Sequence, residues 1–340
     1  MHRVGVVGAG RIGARRAQVA QAHPESCVVA VCDLESARAA ELASRCGARV
    51  ARAWEQVTSA PDVDIVVVAT THDALARVGA AALEAGKHVL VEKPMARTPS
   101  EARLLVVAAA RTGAYLKVGY NHRYHPAVQR VQQACVAGEL GRLLWLRGRY
   151  GHGGRPGYER EWRADRVLSG GGEMLDQGVH LVDLALWLLG DFADVAGFAG
   201  ALHWPMQVED NAFGLFRTAA GQVASLHVSW TQWRNLFSLE VCGSEGHAAA
   251  EGLGGSYGPE RAVLGRRRPE GGPPDECVET YPAEDRSWEL EWEDLLQAIR
   301  TGRPPLASGA EGLRTLEWVH RLYTAAAEGR VVTVESGTGA

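Results

Sequence analysis

Residues 4 to 13 read Val4-Gly5-Val6-Val7-Gly8-Ala9-Gly10-Arg11-Ile12-Gly13, and the order of parts in that stretch decides the first half of the fold. A short apolar run comes first, glycines spaced as GxGxxG follow, and a helix-compatible stretch continues to about residue 21. Gly8 then permits a tight turn, Gly10 lets the backbone approach a pyrophosphate, and Gly13 lets the helix pack closely on the strand. Phosphates would rest on the unpaired amides and positive end of that helix, which begins with Arg11 and Ile12. In a chain with 40 glycines the motif is weak by itself, and its flanks supply the weight.

A second apolar run, 28 to 32, ends at Asp33, where a carboxylate can take both hydroxyls of an adenosine ribose. This predicts NAD rather than NADP, because a 2′-phosphate would face a like charge. Arg38, the nearest basic residue, is the feature that points the other way. Further runs at 64 to 69, 87 to 91 and 115 to 118 alternate with alanine-rich helical stretches at 72 to 85 and 99 to 112. Continuous apolar strands alternating with helices describe a parallel sheet covered on both faces, whose ligands lie beyond the carboxyl ends of the strands. Three strand ends therefore carry candidate residues: Thr70-Thr71-His72, Glu92-Lys93-Pro94, and Gly119-Tyr120-Asn121-His122-Arg123. Lys93, between a buried strand and a proline-started helix, can polarise a hydroxyl or carbonyl oxygen beside a cofactor; as an isolated residue it reads more often as a solvated charge.

The pattern changes after Pro126. Candidate strands at 143 to 149, 194 to 203, 211 to 218, 222 to 230 and 236 to 242 have few helices between them. Val223, Ser225, His227 and Ser229 alternate with Ala224, Leu226, Val228 and Trp230, so one face of an antiparallel sheet is expected to be covered and the other left for a partner. Residues 252 to 272 read mainly as loops, with short strands possible at 247 to 251 and 260 to 264, and helices are expected at 288 to 299 and 309 to 326. The expected division is 1–123 for a nucleotide-binding domain and 124–340 for a substrate and oligomerisation domain.

Within the second half, Gly170-Gly171-Gly172 introduces a helix carrying Glu173, Asp176, His180 and Asp183. Asp176 and His180 are four apart and share a helix face, while Asp183 is placed to orient the His180 ring instead. A histidine buried for structural reasons fits the same spacing. Hydride transfer from a carbinol to nicotinamide needs a proton acceptor and a group that steadies the oxygen. His180 titrates in the useful range for the first, and Lys93 suits the second. On this reading each half contributes one group.

Composition excludes other classes. The 36 basic and 40 acidic residues leave a formal charge of −4, and the short basic run at 265 to 268 is no nucleic-acid surface. Cys27, Cys32, Cys46, Cys135, Cys242 and Cys277 show neither a CxxC pair nor zinc-like spacing, so reduced thiols and no metal are expected. With an apolar run starting near residue 3 and no membrane-length stretch, the expectation is a cytoplasmic protein.

Taken together, Gly8 to Gly13, the run Ala82-Leu83-Glu84-Ala85-Gly86-Lys87-His88-Val89-Leu90-Val91-Glu92-Lys93-Pro94, the segment Gly119-Tyr120-Asn121-His122-Arg123-Tyr124-His125-Pro126, and Gly170 through Asp183 resemble the glucose-fructose oxidoreductase, inositol dehydrogenase and MocA (Gfo/Idh/MocA) family. The resemblance covers nearly the whole chain. It implies an N-terminal Rossmann domain followed by an α+β domain on a predominantly antiparallel, open-faced sheet, with NAD as cofactor. It makes His180 the acid/base residue, Lys93 its electrostatic partner, and Asp176 a group that holds the substrate hydroxyl or the histidine. Asn121 and Arg123 match a segment near nicotinamide and substrate, and Trp162 and Arg163 match a loop that contributes to the substrate pocket. It further implies a homodimer or homotetramer through the open sheet face.

One departure stands out. Relatives commonly carry Thr-Pro-Asn after the fourth strand and a histidine a few residues on, whereas here Leu75 fills that slot and His72 arrives earlier. The activity implied is dehydrogenation of a ring hydroxyl of a sugar, an aminoglycoside-like glycoside or a cyclitol, or reduction of the ketone, with a place in amino-sugar antibiotic biosynthesis as a narrower form. A nucleotide-sugar dehydrogenase, a glycoside hydrolase working through transient oxidation, and a non-catalytic NAD-binding protein remain as alternatives.

Overall fold

A computed structural model describes residues 1–334, so the last six positions of the expected second domain lie outside the described residues. The first sheet is six-stranded and parallel: β1 (His2–Val7), β2 (Ser26–Cys32), β3 (Arg49–Val50), β4 (Ile65–Val68), β5 (His88–Val91) and β6 (Leu116–Val118), in the order β3-β2-β1-β4-β5-β6. The chain order reverses between β1 and β4, the position where sheets of this type bind ligands beyond their strand ends. Val4, Val6, Val31, Ile65, Val67 and Leu90 are buried in its core, as the continuous apolar runs require.

The second sheet is nine-stranded. Its strands are β7 (Leu143–Gly151), β8 (Phe192–Gly200), β9 (Asn211–Thr218), β10 (Val223–Ser229), β11 (Leu236–Gly243), β12 (Gly246–Glu251), β13 (Arg261–Arg266), β14 (Asp275–Thr280) and β15 (Val332–Thr333). They run in the order β14-β13-β12-β11-β7-β10-β9-β8-β15, antiparallel throughout except for the β7–β10 pair. The expected alternation holds along β9 and β10: Ala212, Phe216, Ala224, Leu226 and Val228 are buried. On the opposite face Phe213 and Leu215 are exposed, with the His227 ring stacked 4.1 Å from that of Phe213. The helix Val179–Leu189 covers the buried face, and a Cβ on Gly148 would come within 3.2 Å of Leu181.

The chain forms two compact units, and their bounds differ from the expected 1–123 and 124–340. One holds Met1–Tyr120, Val167–Gly170 and Trp288–Leu316; the other holds Asn121–Arg166, Gly171–Ser287 and, among the described residues, 317–334. The helix Ser287–Thr301 thus joins the first sheet rather than the second. Its Trp292, Leu295 and Leu296 complete the core around Val4 and Val28, and Trp292 Nε1 donates to Ser26 Oγ at 3.0 Å. Lys117, fully buried on β6, donates to Asp294 Oδ2 at 2.8 Å. All six cysteines are free thiols, and no helix among the described residues is long and apolar enough to cross a membrane.

Candidate active site

The glycine turn behaves as its spacing demands. Gly8 has φ +98°, and a Cβ there would sit 2.3 Å from Ala69 O; on Gly13 it would sit 1.8 Å from Gly8 O. Around Gly10 nothing lies within 4 Å of the same position, and Gly10 opens the helix Arg11–Ala22 without a side-chain cap. Bare amides at a helix start facing open space form a cradle that fits a pyrophosphate. Arg11 is exposed and Ile12 half-buried beside it. Asp33 Oδ2 accepts from Ala9 N at 2.6 Å and Oδ1 from Glu35 N at 2.8 Å, so the carboxylate braces the glycine turn while its remaining lone pairs stay available to a ribose. Arg38 is exposed and pairs with Glu35 at 2.9 Å.

At the end of β4, Thr71 Oγ1 donates to Asp73 Oδ1 at 2.6 Å, and Thr70 Oγ1 to Thr71 O at 3.0 Å. His72 is buried with Nδ1 2.8 Å from Ser169 O, so its ring ties down the segment just before the glycines. Leu75 is fully buried.

Glu92 is held from behind. Arg16 Nε donates to Glu92 Oε1 at 2.7 Å, and Arg16 Nη1 pairs with Glu291. The guanidinium also lies 4.4 Å above the Trp288 ring. A Cβ on Gly119 would come within 2.7 Å of Arg16 Nη2, so a larger residue there would have to displace this pair. Expected among the cofactor contacts, Glu92 is occupied as the anchor of the Lys93-Pro94 turn, whose peptide bond is cis. Arg16 was not readable as functional; the one available signal is a charged residue on the same helical face as Gly13, Ala17 and Ala20.

In the second unit the glycines meet Glu209. Gly172 N donates to Glu209 Oε2 at 2.9 Å, Met174 N to Oε1 at 3.1 Å, and Tyr323 OH to Oε1 at 2.6 Å. A Cβ on Gly172 would fall 1.9 Å from Glu209 O, which is the reason for glycine at that place. The chain then makes a π-helical turn, Met174–Gly178, before Val179–Leu189. Such turns re-aim side chains and cluster at functional sites. Asp176 and His180 are each 3% exposed.

Asp176 Oδ2 accepts from Arg163 Nε at 2.8 Å, and the Arg163 guanidinium lies 4.4 Å over the Trp162 ring. The expected trio Trp162, Arg163 and Asp176 is therefore brought together. Tyr150, Tyr158, Tyr257 and His152 lie near enough to feel the charge of the same carboxylate. Burial, then the charge of neighbouring acids, raises the phenols, Tyr257 to about 12. Burial pushes His152 down although Asp176 pulls it up, and its Nδ1 accepts from Gly154 N at 3.0 Å. These four groups were missed, because tyrosines and a histidine in a glycine-rich loop carry no spacing signal.

The turn Asn121–Tyr124 separates its residues by role. Asn121 Nδ2 donates to Ser287 Oγ at 2.9 Å. Arg123 is 1% exposed and gives Asp183 a two-pronged pair, Nε to Oδ2 at 2.8 Å and Nη2 to Oδ1 at 2.7 Å. Its guanidinium lies 5.2 Å over Trp187. The arginine expected near substrate is buried, and Asp183, weighed as an orienter of His180, takes it on both oxygens. His180 has a different neighbour: the ring of His122 stacks on it at 3.7 Å.

Comparison with known proteins places this arrangement. Residues 2–120 match the model of an oxidoreductase family with an NAD-binding Rossmann fold, and residues 128–249 match the GFO/IDH/MocA C-terminal domain. The 1,5-anhydro-D-fructose reductase of Ensifer adhaerens is 30% identical over 99% of this chain and 100% of its own length. The chain belongs to the Gfo/Idh/MocA family. Levoglucosan dehydrogenase of Pseudarthrobacter phenanthrenivorans is 30% identical over 61% of this chain and 60% of its own length. Among solved structures, GenD2 from gentamicin A biosynthesis in complex with NAD is 27% identical, with a TM-score of 0.86 over 98% of this chain and 97% of that one.

As a Gfo/Idh/MocA enzyme the chain uses NAD, and the open cradle at Gly10 and the Asp33 carboxylate fit that cofactor. The family resemblance stated from Gly8 to Gly13, Glu92-Lys93-Pro94 and the Asp176 to His180 segment is confirmed, as are the parallel first sheet and the mostly antiparallel second sheet.

Proposed function

We propose that this enzyme oxidises a secondary ring hydroxyl of a sugar, glycoside or cyclitol, or reduces the matching ketone. The observation that carries this reading is the Asp176 carboxylate, fixed by Arg163 and within electrostatic reach of Tyr150, Tyr158, Tyr257 and His152. A buried carboxylate among hydroxyl and imidazole groups suits a polyol, whose several hydroxyls each need a partner when they leave water. The named activities of the relatives, on 1,5-anhydro-D-fructose and levoglucosan, belong to the same chemical class.

In the oxidising direction His180 accepts the hydroxyl proton as the C–H bond breaks, and Lys93 steadies the oxygen that becomes the carbonyl. The cofactor supplies the two-electron acceptor. Asp176 receives a substrate hydroxyl and holds the ring in one orientation, with Arg163 restricting the carboxylate. Trp162 and Asn121 border the substrate, Arg123 keeps the His180 helix in place through Asp183, and Asp33 takes the ribose hydroxyls. Thr70, Thr71 and His72 shape the strand end against the cofactor. Likeness to GenD2 supports a glycoside with amino-sugar character, for which Asp176 is a suitable ammonium partner. The exposed Phe213 and Leu215 face supports pairing with a second copy.

The deciding experiment is a screen of cyclitols, anhydrosugars, aminoglycoside-like glycosides and nucleotide sugars that follows NADH absorbance and product mass together. Loss of two hydrogens with one NADH per product is expected from the first three groups. Turnover confined to nucleotide sugars, or glycosidic cleavage without NADH, overturns the proposal.

A further inference from the structure

The geometry points to His122 as a positioning residue: its imidazole is the platform that fixes the ring plane of His180 for proton transfer. This rests on the reading of His180 as the acid/base group, and no motif singled out His122 for that task.

The two rings stack with centroids 3.7 Å apart and planes at 21°. Both residues are nearly closed to solvent, at 5% and 3% exposure. The His122 ring is boxed on its edges by Tyr150 at 5.2 Å, Phe237 at 5.5 Å and His125 at 5.6 Å. It is also tethered, since Nδ1 lies 3.2 Å from Asn121 Oδ1. The Asn121 amide nitrogen donates to Ser287 Oγ, which turns the amide oxygen toward the imidazole.

A ring held on its edges and by one nitrogen does not turn freely, and a ring stacked on it shares that constraint. Placement matters because a base misaligned by about 1 Å can forfeit a factor on the order of a hundred in rate. Charge matters as well. When His180 takes a proton it becomes a cation over an aromatic face, an arrangement that is attractive with an uncharged ring and repulsive with a second cation. The titratable groups around the pair are His125, itself against Glu260 at 2.9 Å, and Tyr150, beside Tyr257 and Glu173. On the His180 helix they are Asp176 and Asp183, engaged by Arg163 and Arg123.

The test compares His122→Phe, His122→Asn and His122→Ala in the full chain with NAD. Turnover of myo-inositol, levoglucosan and 1,5-anhydroglucitol is followed alongside NMR of 13C-labelled histidine rings, with His180 assigned through His180→Ala. Phe keeps the platform without a titrating group, so the His180 resonances stay shielded by a stacked ring and kcat stays within about fivefold. Asn, which can still bond Asn121, and Ala remove the ring face. Both are expected to release the shielding and lower kcat about tenfold or more, with KM changed less than about threefold. The acidic limb of the pH profile should survive in His122→Phe, because His122 is not the titrating base.

If Ala does not fold, the Phe and Asn pair carries the same comparison. Unchanged His180 resonances in His122→Asn, or a Phe variant as slow as the Asn variant, overturns the platform while leaving the function intact. Normal turnover by His180→Ala overturns the platform together with the assignment of His180 as the acid/base group. With none of the three substrates turned over, the NMR comparison still decides whether the platform exists.

Discussion

Arg16 and Glu92, 76 positions apart in the chain, meet at 2.7 Å with the arginine 2% exposed. Glu291, from the helix Ser287–Thr301, closes the group from the other side of the guanidinium. Burial raises the Glu291 carboxyl, the charge of Arg16 and then of Lys117 opposes that shift, and the charge of Glu92 adds to it. The arrangement fixes the residue immediately before Lys93 and fastens a distant helix to the first sheet.

Replacing Arg16 with leucine would leave the two carboxylates in a dry place without the cation that pairs with both. The expected cost is about 3 to 5 kcal/mol, the range for breaking a buried ion pair from one side. Urea unfolding of Arg16→Leu against wild type measures it. A loss below about 1 kcal/mol would mean that water reaches these carboxylates.

Asp210 supplies a pH-dependent expectation. Its oxygens accept from Leu202 N, His203 N and Trp204 N at 2.7 to 2.8 Å and from the Asn211 amide at 3.0 Å. Burial resists ionisation, but these donors outweigh it and hold the carboxyl below its ordinary 3.8. A carboxyl depressed in the folded state stabilises the protein above its unfolded pKa, and that contribution fades as pH falls through the lower folded value. Asp210→Asn should therefore be less stable than wild type by about 1 to 3 kcal/mol near pH 7, with the gap shrinking below about pH 4. Denaturant midpoints across that range test it, and a constant gap would deny the linkage.

Asp33 separates into two roles that two variants resolve. Asparagine can still accept from Ala9 N while removing the charge, whereas alanine removes both. Wild type should prefer NAD over NADP. Asp33→Asn should narrow that preference by something on the order of tenfold to a hundredfold, and Asp33→Ala should in addition weaken both cofactors by loosening the glycine turn. Fluorescence titration gives all the constants, and tighter NADP binding by the unmodified protein would transfer the assignment to Arg38.

These cases show what a sequence pattern can carry. The glycine turn and the apolar strands were legible because strand, turn and helix each leave a local mark. The helix Ser287–Thr301 was legible as a helix but not as part of the first unit, since the stripe formed by Trp292, Leu295 and Leu296 says that a face is buried and not against what. β14 was lost because Asp275–Thr280 is an almost wholly exposed edge strand with no inside and outside to alternate. Asp176 and His180 stood out by spacing, yet the π-helical turn beneath Asp176 and the Glu209 brace depend on partners far away in sequence. Arg123 shows another limit: its motif makes it conspicuous, but its pairing with Asp183, 60 positions away, leaves no local mark.

His180 decides whether the glycine-led helix is chemical machinery. If it accepts the hydroxyl proton, His180→Ala should fold, bind NAD with the affinity of wild type, and lose about 10²- to 10⁴-fold in kcat, roughly 3 to 5 kcal/mol in barrier. A structural role makes the reverse expectation: removing a side chain only 3% exposed from beneath His122 would lower stability, while the folded fraction turned over normally. Lys93→Ala provides the companion measurement, since a group that steadies the oxygen should cost a comparable factor without unfolding the first unit. Melting temperature, cofactor affinity and single-turnover reduction of NAD, taken on one preparation of each variant, distinguish the two accounts. A stable His180→Ala protein with an unchanged single-turnover rate from pH 6 to 9 would remove His180 from the chemistry and leave its stacking with His122 as packing alone.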